Sequence, residues 1–222
     1  MSPAQAREAD ILLVRSITQV NRELLGDNPN TRFVGTATIG TDHVDRAYLA
    51  EHSIPFSNAP GGNAQSVADY VLSSVLVLAQ KYQWQLDALS IGVIGAGNIG
   101  SKVAIWAEAL GMNVLLCDPP LEEAGDTREF VSLEQAMQAD IISLHVPLIR
   151  TGSHPSYMMF DKARLAMLGK GQTLINTCRG DVVDNQALLA LMKSGKALNL
   201  VMDVWQNEPN VLNELISYIW LV

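Results

Sequence analysis

Residues 90–118 read S-I-G-V-I-G-A-G-N-I-G-S-K-V-A-I-W-A-E-A-L-G-M-N-V-L-L-C-D. The run 91–94 is short, apolar and bounded by turn residues, as suits a strand buried on both faces. Gly95, Gly97 and Gly100 follow in the spacing G-x-G-x-x-G. Residues 99–110 carry apolar side chains at three- and four-residue intervals, which predicts a helix, and Gly111 stops it. A second apolar strand, 114–117, ends on Asp118. Strand, glycine turn, helix, strand and acid in this order suit a bound dinucleotide. Gly95 permits a tight turn, Gly97 lets the backbone approach a pyrophosphate, and Gly100 lets helix and strand pack closely. The helix start, with Asn98 and Ile99, offers N–H groups and a positive dipole end to the phosphates. Asp118, about 20 residues on, stands where a carboxylate accepts the ribose hydroxyls. Its charge would repel a ribose phosphate, so the pattern favours NAD over NADP. Pro119 and Pro120 follow it, and the nearest arginine, Arg128, is expected not to reach.

A glycine turn of this spacing is weak evidence when it stands alone. Here a strand precedes it, a helix follows it and the acid lies at the right distance. The rest of the chain is compatible. Its 222 residues suffice for one large domain or two small ones with a real core. With 48% hydrophobic and 17% charged residues, the composition is that of an ordinary globular protein. A net charge of −8 argues against general nucleic-acid binding, which needs clustered Lys and Arg, but not against a small anion held by local donors. The two cysteines, Cys117 and Cys178, suggest reduced thiols rather than a disulfide framework. No metal site is expected. Residues 1–10 are polar and lack a secretory core, and the longest apolar stretch, near 71–79, is too short to span a bilayer. These features point to a cytoplasmic protein with no membrane partner.

Taken from its start, the chain offers a short polar helix over 3–9 and a strand over 11–14. Arg15 and Ser16 lie just past that strand, either as a ligand-facing end or as a surface loop with a capping serine. A second strand spans 32–35. In the loop T-A-T-I-G-T-D-H-V-D that follows, Asp42 is expected to cap a helix starting near His43, a helix-start residue rather than a catalyst. A third strand, 54–58, leads into A-P-G-G-N-A, whose Pro60, Gly61 and Gly62 mark a crossover between domains of residues 1–62 and 63–222. The longest helix pattern runs over 65–83, with Val67, Tyr70, Val71, Ser74, Val75, Leu78 and Tyr82 on one stripe. After Asp118 the acidic run to Glu129 reads as a solvated loop. Further strands are expected at 141–144, 173–176 and 198–203, with helices at 132–139, 161–168 and 186–193. The crossovers of this α/β pattern should be right-handed.

Polar residues recur at these strand ends: Asp118, His145, Arg179, Asp203 and Glu208. Ligands collect at such ends in parallel sheets. Arg179, followed by Gly180, presents a planar fork suited to a carboxylate, or else a surface ion pair. Glu208 is either a solvated loop acid or a group that orients a histidine.

G-A-G-N-I-G with Asp118, then T-C-R-G-D-V-V-D, then D-V-W-Q-N-E-P resemble the D-2-hydroxyacid dehydrogenases in order and spacing. L-L-V-R-S-I-T-Q-V-N, F-V-G-T-A-T-I-G-T-D-H-V-D, A-P-G-G-N-A and L-L-C-D-P-P are similar to the branch that oxidises 4-phosphoerythronate in pyridoxal phosphate biosynthesis. The resemblance covers about residues 5–215. It implies a Rossmann-type, doubly wound parallel sheet with a partial flavodoxin-like substrate domain. It also implies a small phosphorylated 2-hydroxy acid as substrate, with hydride passing to NAD and a proton to a histidine base. Arg179 then matches the arginine that binds the substrate carboxylate, and Glu208 the acid paired with the histidine. Gly95, Gly97, Asn98, Ile99, Gly100 and Asp118 hold the dinucleotide. Asp203 and Val146 lie near its nicotinamide half, while Ser16 and Thr38 face the substrate.

In the family that histidine follows the glutamate in a later S-H-I-A-G-type segment. None of His43, His52, His145 and His154 stands there, and His145 belongs to an H-x-P strand end that faces the cofactor. The first strand and helix of the family, and the domain through which its members form homodimers, have no counterpart in the sequence. The expectation is therefore a chain truncated at both ends and inactive alone, with residues 215–222 as an exposed or patching apolar tail. The alternatives are a non-catalytic NAD-binding remnant, or a dehydrogenase of another D-2-hydroxy acid.

Overall fold

The apolar runs pair as parallel strands, and the glycine- and proline-rich stretches between them turn the chain. A computed structural model describes residues 2–15, 17–27, 29–38 and 40–219. The chain divides into two compact units, Met1–Asn63 and Ala64–Val222.

In the first unit the elements are α1 (Pro3–Glu8), β1 (Ile11–Val14), α2 (Arg22–Leu25), β2 (Phe33–Thr36), α3 (Arg46–Glu51) and β3 (Phe56–Ser57). They form a parallel sheet of order β1-β2-β3. Leu12, Val14, Val34, Leu49 and Ile54 make its core. The third strand is shorter than the expected 54–58, because Pro55 has no N–H to donate and enters the pairing only through its carbonyl, which accepts from Val34 N at 3.0 Å. The helix expected near His43 starts three residues later. Val44 instead bridges Val20, with Val20 N on His43 O at 2.7 Å and Asp45 N on Val20 O at 2.8 Å. Asp45, not Asp42, therefore supplies the cap, accepting from Tyr48 N at 2.9 Å.

The second unit holds α4 (Ala64–Tyr82), β4 (Ser90–Ile94), α5 (Gly100–Ala109), β5 (Asn113–Cys117), α6 (Pro119–Glu123), α7 (Leu133–Ala136) and β6 (Ile141–Leu144). It continues through α8 (Lys162–Met167), β7 (Thr173–Asn176), α9 (Asn185–Lys193), β8 (Asn199–Met202) and α10 (Asn213–Ile216). All five strands run parallel in the order β5-β4-β6-β7-β8. Alternate side chains serve opposite faces. Ile91, Val93, Ile141, Ile175 and Val201 pack with α4 and α5, while Ile94, Ile142, Leu144, Leu174 and Leu200 pack with α8 and α9. This is a doubly wound sheet, covered on both sides. Each fully buried aliphatic side chain stabilises it by roughly 1.5–3 kcal/mol.

Two readings of the helices change. The buried stripe of α4 runs through Ala64, Ala68, Val71, Ser74, Val75, Leu78 and Ala79. Small alanines at Ala68 and Ala79 let the helix lie close, leaving Val67 half-buried and Tyr82 exposed. The acidic run after Asp118 begins as a helix rather than a loop: Asp118 caps α6 by accepting from Leu121 N, and Pro119 and Pro120 occupy its first turn, where a missing N–H costs nothing. The short tail helix α10 buries Leu215 against the second face of the sheet. Trp220, Leu221 and Val222 lie outside the described residues. No helix among the described residues is long and apolar enough to cross a membrane.

Candidate dinucleotide site

Strand β4 stands where the winding of the sheet reverses, with β5 on one side and β6 on the other. The crevice at the carboxyl ends of such strands is the natural ligand position. The three glycines there have three different physical reasons. Gly95 adopts φ +92°, and a Cβ on it would meet His145 O at 2.6 Å. Gly100 lies so close to the strand that a Cβ would sit 1.9 Å from Gly95 O. Gly97 has neither constraint: its φ is outside the left-handed range, and nothing lies within 4 Å of where a Cβ would stand. The fold itself does not require glycine at that position, which leaves an open cradle. Beside it, the N–H groups of Asn98, Ile99 and Gly100 have no acceptor among the described residues, and α5 starts there. A turn with free N–H groups at a helix start suits a bound anion.

Asp118 reaches back from the end of β5. Its Oδ2 accepts from Ala96 N at 2.8 Å and its Oδ1 from Leu121 N at 3.1 Å. Each oxygen keeps a further lone pair for a ribose hydroxyl. Arg128, not expected to serve the ribose, bonds the glycine turn itself. Its Nη1 donates to Ala96 O at 3.0 Å and to Ser101 Oγ at 2.8 Å. The short turn that follows α6 folds the chain back, a geometry that linear distance from Asp118 conceals. Asp126 accepts from Arg128 Nε and Nη2 at 2.9 and 2.7 Å, and this pairing holds the Asp126 carboxyl down at about 2.

A cavity of about 520 Å³ opens beside the turn. It is lined by Gly95 and Gly97, by residues 118–121, by residues 145–147, and by residues 153–156 with Met159 and Arg164. Val146 therefore shares a wall with Asp118, whereas Asp203 does not line this cavity. The 153–164 part of the wall was not foreseen; its only sequence signal is Pro147 and Pro155 flanking a polar loop. Ser156 shapes that loop, accepting from Ile149 N at 2.8 Å and donating to Pro147 O. His145 Nε2 is 2.9 Å from Ser143 Oγ, and its buried Nδ1 has no partner among the described residues. Burial lowers the imidazole to about 3, so the ring is neutral near pH 7. Burial likewise pushes the Cys117 and Cys178 thiols up to about 11, and both are free.

At the ends of β7 and β8 two motif loops are packed as one piece. Buried Asn176 shapes the first, with Nδ2 donating to Arg179 O at 3.0 Å and Oδ1 accepting from Cys178 N at 3.1 Å. The half-buried Arg179 donates from Nη1 to Cys178 O at 2.7 Å. A Cβ on Gly180 would lie 1.9 Å from the carbonyl carbon of Trp205, so this glycine is required by the second loop. Asn185 and Gln206 close the junction with reciprocal bonds, Asn185 N to Gln206 Oε1 at 2.9 Å and Gln206 N to Asn185 Oδ1 at 3.0 Å. Glu208 folds onto its own turn, accepting from Trp205 N at 2.7 Å. The exposed Asp203 has its carboxyl raised by the protein packed around it and by Glu208.

In the first unit, Thr38 Oγ1 donates to Gly40 O at 2.7 Å and lies 2.8 Å from Thr36 Oγ1. Thr36 Oγ1 in turn lies 3.0 Å from His43 Nε2. His43 is a buried, hydrogen-bonded histidine rather than a helix-start residue. Ser16 lies outside the described residues. Among the described residues no group of three His, Cys, Asp or Glu side chains could hold a metal ion.

Residues 69–219 match the model of the D-isomer specific 2-hydroxyacid dehydrogenase, NAD binding domain. The chain is 55% identical to erythronate-4-phosphate dehydrogenase of Tolumonas auensis, an alignment covering 98% of this chain and 58% of that protein. It is 53% identical to the protein of the same name in Aeromonas hydrophila, over 98% of this chain and 59% of that one. The chain thus spans less than two thirds of the length of these relatives. Among solved structures, D-lactate dehydrogenase from Aquifex aeolicus complexed with NAD and lactic acid superposes with a TM-score of 0.82. It is 27% identical, and the match covers 100% of this chain and 78% of that one. The NAD-bound 3-phosphoglycerate dehydrogenase of Entamoeba histolytica shares the fold, with TM-score 0.82 at 23% identity over 100% of this chain and 72% of that one. NAD is the cofactor of this domain. The open cradle at Gly97 and the carboxylate of Asp118 fit it.

Proposed function

The chain belongs to the D-isomer specific 2-hydroxyacid dehydrogenase family, and on that premise we propose that it carries the binding machinery for NAD-linked oxidation of 4-phosphoerythronate to its 2-oxo acid, a step of pyridoxal phosphate biosynthesis. The observation that carries this reading is the interlocked pair of loops at the ends of β7 and β8, which holds Arg179 and Glu208 on one rigid support. The names and identities of the relatives support the substrate.

Bound NAD supplies the acceptor for the hydride at C2. Arg179 receives the substrate carboxylate on its planar fork. Gly97, Asn98, Ile99 and Gly100 hold the pyrophosphate, Asp118 the ribose, and Val146 the wall beside it. The family resemblance assigns Asp203 to the nicotinamide half, and Thr38 and Ser16 to substrate binding. Glu208 orients the base that takes the hydroxyl proton. That base is not one of the four histidines in this sequence. In the family the histidine follows the glutamate, whereas His43, His52, His145 and His154 all precede Glu208. Absence of a general base costs on the order of 10²–10⁴ in rate, so these 222 residues bind NADH without measurable turnover.

The test is an NADH titration of the purified chain, followed by assays with 4-phosphoerythronate and with D-glycerate. Binding without turnover is the expected outcome. Turnover of 4-phosphoerythronate would keep the substrate and refute the account of the base. Turnover of glycerate alone would refute the phosphorylated substrate, and no binding of NADH would refute the whole reading.

A further inference from the structure

Arg128 has no place in the cofactor-binding set read from the sequence, yet its guanidinium is bound to the glycine turn. Ala96 lies between Gly95, which makes the turn, and Gly97, which leaves the cradle open. Both polar groups of Ala96 are held: its N–H by Asp118 Oδ2 at 2.8 Å, and its C=O by Arg128 Nη1 at 3.0 Å and Ser101 Oγ at 2.7 Å. The far side of the guanidinium is clamped by both oxygens of Asp126, and its central carbon lies 5.4 Å from the Phe130 ring centre. A guanidinium so fixed has one orientation. Neutralised by Asp126, it is also poorly placed to act as a free counter-charge for a ligand phosphate.

We propose that Arg128 is a positioning residue for the pyrophosphate. It acts through Ala96, setting the direction in which the N–H groups of Asn98, Ile99 and Gly100 point, and it does not touch the ligand. The proposal deepens the NAD reading of the same site and rests on it. An arginine is required, because only a planar fork grips both oxygens of Asp126 while a third N–H reaches Ala96. A lysine keeps the charge and loses that geometry.

The experiment compares NADH, ADP and adenosine binding to the unaltered chain and to Arg128→Ala, Arg128→Lys and Ser101→Ala. Arg128→Ala is expected to raise Kd about tenfold for NADH and ADP, the size of one charge-assisted hydrogen bond, and to leave adenosine unchanged. Lysine should not rescue, and Ser101→Ala should show a smaller loss in the same two ligands. Equal losses for all three ligands would make Arg128 a general support of the fold and overturn the proposal. Rescue by lysine would make its charge, not its geometry, the active feature, and would also overturn it. So would unchanged NADH binding in Arg128→Ala. If the unaltered chain bound no NADH, the cofactor reading itself would fall, a result separable from the others.

Discussion

Replacing Gly97 with alanine should separate binding from folding. A Cβ at this position meets no protein atom within 4 Å, and the backbone φ is one that alanine accepts. The substitution therefore creates no clash and slightly restricts the unfolded chain, for a change in stability between zero and a gain of about 1 kcal/mol. On the proposed placement of the cofactor, the same methyl group would occupy the space through which the pyrophosphate approaches the N–H groups of Asn98, Ile99 and Gly100. A charge-assisted hydrogen bond of that kind contributes about 1.5–3 kcal/mol. Losing one raises Kd about 10- to 150-fold. Urea unfolding of the apo chain and an NADH titration by tryptophan quenching measure the two quantities on one sample. Gly100→Ala is the internal control, because its Cβ would lie 1.9 Å from Gly95 O and should destabilise the apo fold by on the order of 3 kcal/mol. If Gly97→Ala bound NADH as tightly as the unaltered chain, the cradle would not be where the pyrophosphate lies. If it lost more than about 2 kcal/mol of stability, the space would not be open.

Asp118→Ala should weaken NADH binding by roughly 1–3 kcal/mol and also lower apo stability by about 1 kcal/mol, since the α6 cap goes with it; a binding loss with unchanged urea midpoint would refute the second role. His145 titrates near 3 when folded and near its ordinary 6.5 when unfolded. The unfolded chain thus binds the proton first, and stability falls as pH drops below about 6.5, by up to about 1.4 kcal/mol per unit from this group. Urea midpoints from pH 6.5 to 4.5 should fall less steeply for His145→Gln than for the unaltered chain, and parallel curves would contradict the burial argument. Gly180→Ala places a methyl 1.9 Å from the Trp205 carbonyl carbon. It should cost on the order of 3 kcal/mol or shift the Trp205 emission, and neither effect would mean that the two loops are independent.

The segment from β4 to β5 was legible in the sequence because every step is local: buried runs of strand length, glycines at fixed offsets, and an acid at the end. Legibility fails where two local signals compete or where the decisive partner is distant. Asp42 and Asp45 are equally good caps by type, and only the pairing of residues 43–45 with Val20 selects Asp45. Composition made 119–123 a loop, although the acid before it and the prolines at its start are helix-initiating signals. Pro55 visibly limits β3, but its effect depends on which strand it meets. Arg128 could not be placed by counting residues, because its reach depends on how the chain returns after α6. Arg179 and Glu208 are named from motifs, whereas the glycine between their loops shows its purpose only when Trp205 is beside it.

Asp118 holds Ala96 and starts α6 with a single carboxylate, the same group proposed to take the ribose. Cofactor choice and architecture are thereby linked in heredity as well as in chemistry. A lineage drifting toward a phosphorylated dinucleotide must give up the negative charge here, and with it at least one of two backbone anchors. The neutral replacement most open to it is asparagine, which keeps one acceptor oxygen. Such a drift loosens either the glycine turn or the start of α6, which couples a change of cofactor preference to a cost in the fold.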